Sequence, residues 1–259
     1  MKVLPILIIL LPTLVLSGCA DTASGEVQMT AIPPPPVDTL PTPEPLRVLD
    51  SLELPAVLGY VDYARNDSFA LIEAAYTERR GIYLHRAAYR AFQRMHRAAA
   101  ADSVDLTILS AARSFDYQRG IWERKWKKYA DLPPRERALK ILEFSSMPGT
   151  SRHHWGTDID LNNLNNDYFA DGVGERVYAW LRRHAGDYGF HQVYSDKATD
   201  GRTGYNLERW HWSYLPVAEP FRKAYNARVS YAELTGFAGA EVAGEIDVIA
   251  KYVNGIDLP

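Results

Sequence analysis

The chain has 259 residues, 47% of them hydrophobic, and a formal net charge of −3. This near-neutral charge, with no basic stripe along the chain, argues against nucleic-acid binding. Cys19 is the only cysteine, so the remainder of the chain is expected to contain no disulfide, no cysteine nucleophile and no cysteine-ligated metal.

The N-terminus has the pattern of a secretory signal peptide over residues 1–18. Lys2 precedes an apolar run, Val3–Leu16, that is too short to span a bilayer comfortably. The segment LSGC that ends at Cys19 resembles the lipobox of bacterial lipoproteins. The resemblance implies cleavage before Cys19 and a lipid on its thiol, which would anchor the protein to a membrane of the bacterial cell envelope, periplasmic or on the outer surface. An ordinary secreted protein is the alternative.

Residues 19–49 are predicted to form a disordered tether. Four consecutive prolines at 33–36 and the segment PTPEP at 41–45 favour extended polyproline II, and the stretch has few large apolar side chains to bury. Residues 50–259 then have the length of one folded domain.

The elements predicted for this domain mix helices and strands without a regular strand–helix–strand rhythm. In chain order they are helix 86–101, strand 105–110, helix 115–129, helix 135–144, a loop over 145–156, strand 157–161, helix 174–184, strand 209–215, and helices 217–228 and 241–253. Apolar residues at helical spacing, such as Tyr89, Phe92 and Met95, support the first helix. The mixture predicts an α+β fold in which helices flank an antiparallel sheet.

The segment SRHHWGTDIDL, residues 151–161, has side chains that could bind a metal. Alternate residues of a strand share a face, so Asp158 and Asp160 should point together. His153 precedes Gly156, which would allow a tight turn back toward the strand. An imidazole and a carboxylate placed in this way suit Zn²⁺.

A second segment, ERWHW at 208–212, supplies a third ligand and a base. Glu208 and His211 would face opposite ways on an ideal strand, so a turn or bulge is expected near Arg209. His211 would complete a His–Asp–His set around one zinc ion. Glu208 would then be free to accept a proton from the attacking water.

The pattern SxHxxGxxxD, followed further along the chain by ExxHW, resembles the LAS metallopeptidases, which include the VanY-type D-alanyl-D-alanine carboxypeptidases. The resemblance implies a LAS/Hedgehog-like fold with a zinc site in a surface cleft. It gives His153, Asp160 and His211 as zinc ligands and Glu208 as the general base. Ser151, at the first position of the motif, is expected to support the site or contact the substrate.

The segment SAARSFDYQ, residues 110–118, is similar to the arginine segment of the same family. The resemblance implies that Arg113 faces the substrate, where a guanidinium can bind a carboxylate through two contacts or stabilise an oxyanion. Gln118 is assigned beside it as a substrate-binding residue. The similarity covers roughly residues 84–259, nearly the whole domain.

Two positions depart from the family pattern. Asp158 stands where relatives usually have a small residue, often alanine. It is assigned to the substrate-binding residues. The alternatives are that it supports the site or that it competes as a metal ligand. Ala112 stands where relatives often have tyrosine, which alters one wall of the expected substrate pocket.

The expected function is zinc-dependent hydrolysis of the terminal D-amino acid bond, D-Ala-D-Ala or similar, in peptidoglycan stem peptides. One alternative is an endopeptidase of peptidoglycan cross-links, which needs an open groove in place of a pocket that ends in a cation. Another is a zinc-stabilised module that binds cell-wall peptides without cutting them; Glu208 argues against it, because an inactive relative would be expected to lack the base. The sequence does not indicate an oligomeric state.

Overall fold

The computed structural model describes residues 52–259. The predicted signal peptide (1–18), the lipid on Cys19 and the proline-rich tether (19–49) lie outside the described residues. In the part of the chain that is described, no helix has both the length and the apolar character needed to cross a bilayer.

Helices and short strands alternate along the described chain. The α-helices are α1 (Leu54–Val57), α2 (Arg86–Ala101), α3 (Phe115–Lys128), α4 (Pro134–Ile141), α5 (Gly172–His184), α6 (Lys197–Asp200), α7 (Leu215–Arg228) and α8 (Ala243–Ile246). The strands are β1 (Phe69–Leu71), β2 (Tyr83–His85), β3 (Ile108–Ser110), β4 (Asp158–Leu161), β5 (Phe190–His191) and β6 (His211–Tyr214). Short 3₁₀-helices lie at Arg152–Trp155, Asn166–Phe169, Ala185–Tyr188, Tyr231–Glu233 and Ala240–Val242, and a π-helical turn lies at Ile249–Val253.

Four strands form an antiparallel sheet in the order β3-β4-β6-β5. The two inner strands pair so that Asp160 lies opposite His211 and Asp158 lies opposite Ser213. Strands β1 and β2 form a separate antiparallel pair. The predicted α+β class, with an antiparallel sheet and helices around it, is confirmed.

The inner strands β4 and β6 are buried along their whole length. Ile159 and Leu161 belong to the main hydrophobic core, together with Phe92 and Met95 of α2. Because β4 is buried on both faces, its aspartates are buried as well. A buried carboxylate requires hydrogen bonds or a cation, so the centre of the sheet must supply them.

The structure differs from the predicted elements mainly near the C-terminus. The helix predicted over 241–253 is broken at Asp247, whose φ of 62° places it in the left-handed region that ends an α-helix. Strands β1, β2 and β5 were not predicted, because two or three residues are too few to show an alternating pattern. Strand β3 is equally short, but it lies within the longer apolar and β-branched segment 105–110.

Candidate metal centre and cleft

His153 lies in the first 3₁₀-helix, directly before β4. Gly156 ends this helix with a φ of 62°, and a Cβ there would lie 2.4 Å from the Phe69 ring, so glycine is required. Nδ1 of His153 lies 2.8 Å from the carbonyl oxygen of Ala111, which fixes the ring. With Nδ1–H donating to that oxygen, Nε2 keeps its lone pair and lies 3.4 Å from the carboxylate of Asp160.

Asp160 and His211 complete a cluster across the pairing of the two inner strands. Nδ1 of His211 lies 3.0 Å from Oδ1 of Asp160. One ligand atom from each of His153, Asp160 and His211 lies within 4.8 Å of the others, and all three residues are buried. The structure therefore brings together the three residues that the sequence predicted as metal ligands.

Glu208 reaches this cluster through a turn. The chain turns at Arg209 and Trp210 before β6 begins, and the amide of His211 donates a 3.3 Å hydrogen bond to the carbonyl oxygen of Glu208. The turn expected near Arg209 is present. It places Oε2 of Glu208 3.8 Å from Nδ1 of His211. Burial raises the pKa of the Glu208 carboxyl to about 8, although His211 opposes the effect.

Asp158 lies on the Nε2 side of the His211 ring. Its Oδ2 is 2.9 Å from Nε2 of His211 and 3.1 Å from Nε of Arg152. Its Oδ1 accepts hydrogen bonds from the hydroxyls of Thr157 and Ser213. The residue is 0% exposed. This position corrects the substrate-binding assignment of Asp158, because both oxygens are engaged and no surface remains for a substrate.

Arg152 is the buried cation beside Asp158. Its Nη2 donates a 2.7 Å hydrogen bond to the hydroxyl of Ser213, and its guanidinium lies 5.0 Å from the centre of the Trp155 ring. No motif in the sequence had singled out this residue. The alternation of β4 could have done so, since a second aspartate on a buried strand needs a cation nearby.

These contacts set the charges around His211. Burial by itself lowers the pKa of His211, but its hydrogen bonds to the two aspartates raise it to about 9. Burial also acts to raise the pKa of each aspartate. Arg152 nevertheless holds the pKa of Asp158 below its usual range, and His153 and His211 hold the pKa of Asp160 well below it. Both aspartates are therefore ionised at neutral pH.

Tyr194 fixes the plane of the His211 ring. The two rings stack with centroids 4.5 Å apart and an angle of 28° between their planes. The carbonyl oxygen of Tyr194 also accepts a 2.9 Å hydrogen bond from the amide of Glu208. This one residue thus positions both the third ligand and the base, and no pattern in the sequence distinguishes it from the other tyrosines.

Arg113 follows β3 and faces Asp160. Its Nη2 lies 3.3 Å from Oδ2 of Asp160, and its Nη1 donates a 3.0 Å hydrogen bond to Oε1 of Gln118. Nε2 of Gln118 donates to the carbonyl oxygen of Ser146 at 2.8 Å. Gln118 is fully buried, and it positions Arg113 through its hydrogen bond with Nη1. The predicted direct contact between Gln118 and substrate does not agree with its burial.

The backbone of Arg113 is held in place by two side chains. Its carbonyl oxygen accepts a 2.9 Å hydrogen bond from the Tyr63 hydroxyl and lies 2.7 Å from Nδ1 of His154. Nε2 of His154 accepts a 3.1 Å hydrogen bond from the amide of Gly149. Because burial lowers the pKa of His154 to about 3, this histidine stays neutral. It supports the arginine and has no nitrogen left for a metal.

A cleft leads to the cluster. A small cavity of about 30 Å³ borders His153, Glu208 and His211. It shares Arg113 and Glu208 with a larger cavity of about 470 Å³ that also borders Asp160. Other cavities, of about 590, 700 and 600 Å³, border none of the three clustered residues. The chemistry of the lining, and not cavity size, identifies the candidate site.

The residues of the cluster fit a divalent cation such as zinc. Two imidazoles and one carboxylate form a donor set that catalytic zinc sites use, with a fourth position left open. Nε2 of His153 is buried without a hydrogen-bond partner among residues 52–259, as are Nε of Arg113 and the hydroxyl of Ser151. Buried polar atoms normally have partners, and His153 and Arg113 also border the cavities of the cleft, so their unpartnered atoms indicate a place where a ligand binds.

Comparisons with known proteins agree with these motifs. The family model described as VanY, D-alanyl-D-alanine carboxypeptidase, matches residues 81–217, slightly more than half of the chain. A D-alanyl-D-alanine carboxypeptidase of Enterococcus faecalis is 30% identical over 134 residues, which cover 50% of this chain and 47% of that protein. The chain spans about half the length of the curated relatives it matches.

Two solved structures are also similar. The LD-carboxypeptidase LdcB shares 21% identity at a TM-score of 0.49, over 74% of this chain and 79% of that one. VanYB in complex with D-alanine-D-alanine shares 21% identity at a TM-score of 0.47, over 63% of this chain and 86% of that one.

Proposed function

We propose, since the chain belongs to the VanY family of D-alanyl-D-alanine carboxypeptidases, that it is a zinc-dependent carboxypeptidase. Its substrates are peptidoglycan stem peptides that end in D-Ala-D-Ala or a similar D-amino acid bond. The observation that carries the proposal is the buried His153–Asp160–His211 cluster, with the Glu208 carboxylate 3.8 Å from His211.

His153, Asp160 and His211 would hold the zinc ion. A zinc ion held in this way supplies a Lewis acid that polarises the scissile carbonyl and makes water a better nucleophile at neutral pH. Glu208, whose burial raises its pKa to about 8, would be ionised beside such a cation and able to act as a base.

Glu208 is the general base of the proposed reaction. Its carboxylate accepts a proton from the attacking water as the new C–O bond forms, and it passes that proton to the leaving amine as the C–N bond breaks. Its burial excludes bulk water and keeps the proton on this path. The hydrogen bond from its amide to Tyr194 holds its backbone at the site.

Arg113 binds the negative charge of the substrate. Its Nε has no partner in the described residues, and its Nη1 is held by Gln118. A guanidinium fixed in this way can hold the C-terminal carboxylate or the oxyanion that develops in the transition state. The hydroxyl of Ser151 is unpartnered but buried, so it is available to support the site.

Asp158 orients His211 for metal binding. By accepting a hydrogen bond from Nε2–H at 2.9 Å, it leaves Nδ1, which faces Asp160 and His153, as the nitrogen that would give up its proton and offer a lone pair to the metal. A carboxylate behind a ligating histidine fixes its tautomer and raises its basicity. Arg152 balances the charge of Asp158, so the orienting carboxylate remains ionised although it is buried.

The proposal places this domain in the bacterial cell envelope. A lipid on Cys19 and the proline-rich tether at 19–49 would hold the enzyme near cell-wall substrate, on the periplasmic or outer surface of a membrane. The support is the lipobox-like segment and the composition of the tether.

The test incubates zinc-loaded full-length protein with purified muropeptides that end in D-Ala-D-Ala, and follows products by mass spectrometry. Wild type should release one alanine, and Glu208→Gln should retain zinc but lose about 10²- to 10⁴-fold in kcat. Zinc bound with every muropeptide intact would contradict the carboxypeptidase. Cross-linked dimers tested in parallel would reveal an endopeptidase, and peptide binding without any product would indicate a binding module.

A further inference from the structure

The larger cavity carries a cation that the proposed reaction does not use. Lys125 of α3 borders the cavity of about 470 Å³ together with Arg113 and Glu208. Burial lowers the pKa of its ammonium group. The charge of Glu208 acts to raise this pKa, and the charge of Arg113 acts to lower it. Within residues 52–259, no hydrogen bond or ion pair holds this ammonium. A half-buried cation without a partner suits an anionic group that comes from outside the chain.

Apart from the hydroxyl of Ser145, the other walls of the cavity are apolar or already engaged. Ile121, one helical turn before the lysine, and the side chains of Phe144 and Trp210 are apolar. Asn165 and Asn166 also border the cavity, but their side-chain oxygens accept hydrogen bonds from backbone amides of the described chain. The chemistry of these walls therefore suits an aliphatic stem that ends in an anionic group.

The spacing along α3 limits where that group can sit on a peptide. Gln118, which holds Arg113, and Lys125 are seven residues apart, which is a rise of about 10 Å along an α-helix. An extended peptide spans about 3.5 Å per residue. A peptide with its C-terminal carboxylate at Arg113 would therefore present the side chain of its third residue from that end to Lys125.

We propose that Lys125 binds a carboxylate on the side chain of the third residue from the C-terminus of the substrate. The inference rests on the proposed function and extends it to the class of stem peptide. A diamino acid such as diaminopimelate has an aliphatic stem that ends in a carboxylate-bearing carbon, whereas lysine does not. Lys125 would thus make the enzyme prefer diaminopimelate-type stem peptides over lysine-type ones.

A second carboxylate of a stem peptide could reach the same cation. A γ-linked glutamate directly before the diamino acid carries a free α-carboxylate, which isoglutamine replaces with an amide. This group lies one residue further from the C-terminus and has no aliphatic stem. Four pentapeptides distinguish these two carboxylates. They combine diaminopimelate or lysine at the third position from the C-terminus with isoglutamate or isoglutamine at the position directly before it.

The experiment compares zinc-loaded full-length wild type, Lys125→Met and Lys127→Met on these peptides. Lys127 lies on the same helix and is exposed, so it is the matched control. In wild type and the control, kcat/KM should favour the diaminopimelate peptides about tenfold, the equivalent of one ion pair of about 1.4 kcal/mol. In Lys125→Met this ratio should fall to about one. A ratio that stays tenfold, an equal loss on all peptides, or a change confined to the isoglutamate pair would overturn the proposal.

Equilibrium binding separates this inference from the reaction itself. The same peptides are titrated into zinc-loaded Glu208→Gln and into Glu208→Gln/Lys125→Met. If wild type cleaves none of them, the proposed function fails, but tighter binding of the diaminopimelate peptides that is lost with Lys125 still supports the lysine assignment. Absence of binding would contradict the lysine assignment. Equal affinity for the diaminopimelate and lysine peptides in both variants would contradict it as well.

Discussion

The two sides of the His211 ring each hold an aspartate, but the surroundings of these aspartates differ. On the Nε2 side, Asp158 is enclosed by four hydrogen-bonding groups and has no exposed surface. On the Nδ1 side, Asp160 faces two histidine rings and Arg113. There the neighbouring Nε2 of His153 and Nε of Arg113 have no partner in the described residues, and Asp160 borders the cavity of about 470 Å³. On the other side, Nη1 of the buried Arg152 also lacks a partner, but both oxygens of Asp158 are engaged.

The difference shows how one residue type serves two purposes on a single strand. A closed polar network is rigid, so the Asp158 side can fix the orientation of a ring. The Asp160 side has buried, unpartnered atoms and also borders a cavity, so this side is where a ligand is expected. The following variants test that division.

The largest effect is expected on the open side. Asp160→Asn removes a charged ligand from the cluster, so zinc affinity should fall by more than about 100-fold, beyond the 10- to 100-fold typical of residues that only support a ligand. Competition with a chromogenic chelator measures the affinity. Asp187→Asn, at an exposed position, is the control, and an affinity for the Asp160→Asn protein close to that of this control would argue against Asp160 as a ligand.

Arg113 should matter for catalysis and not for zinc. Arg113→Met is expected to lower kcat/KM about 100-fold, because a donor to developing negative charge is lost. Arg113→Lys should restore only part of the activity, since an ammonium cannot make the planar double contact of a guanidinium. Steady-state kinetics and zinc content are measured on the same samples, and parallel loss of both would contradict this role.

On the Asp158 side, the loss of zinc affinity should be smaller, but the folded protein should also be destabilised. Asp158→Asn is expected to lower zinc affinity about 10- to 100-fold. It should also lower the free energy of unfolding of the zinc-free protein by about 3 kcal/mol, because the buried Arg152 loses its counter-charge.

The double variant Arg152→Met/Asp158→Asn separates these two effects. It should recover much of the stability in urea denaturation, since no unpaired charge remains, while zinc affinity stays low. If zinc affinity returned together with stability, Asp158 would act on the fold and not on the orientation of His211.

The smallest expected effect concerns His85, which belongs to neither side of the His211 ring. Nδ1 of His85 accepts a hydrogen bond from the amide of Ala87 at the start of α2, and burial lowers the pKa of His85 to about 4. In the unfolded chain the pKa is about 6.5. The stabilisation is therefore complete above pH 6.5 and is lost as the pH falls toward 4, because the unfolded state binds the proton more readily.

His85→Asn keeps a good N-cap residue but does not titrate in this range. Between pH 7 and pH 5, the zinc-free variant should lose about 2 kcal/mol less stability than the wild type. Urea denaturation at the two pH values measures the difference. Equal losses in both proteins would show that His85 does not contribute.

The sequence predicted the main elements and the metal cluster because both have strong local patterns. Helix 86–101 coincides with α2, whose apolar residues recur at helical spacing. The cluster followed from the metal-binding residue types in the two segments SRHHWGTDIDL and ERWHW and from their resemblance to the LAS metallopeptidases. The lipid anchor and the tether at 19–49 stay predictions.

The remaining contacts join residues that are distant in the sequence, so no local pattern reveals them. Tyr194 stacks on His211 only because the loop before β6 returns to the sheet, and Lys125 reaches the cleft through the direction of α3. Asp158 was placed on the correct face by strand alternation. Its substrate-binding assignment failed because alternation does not show which groups fill the space beside a side chain.

The most direct test of the account is a zinc-edge anomalous diffraction map of the zinc-loaded protein. The account predicts one zinc ion bound by Nε2 of His153, a carboxylate oxygen of Asp160 and Nδ1 of His211, at about 2.0–2.2 Å. Nε2 of His211 should remain hydrogen-bonded to Asp158. A zinc ion bound instead by Nε2 of His211 and by Asp158 would contradict the division between the two sides of the ring.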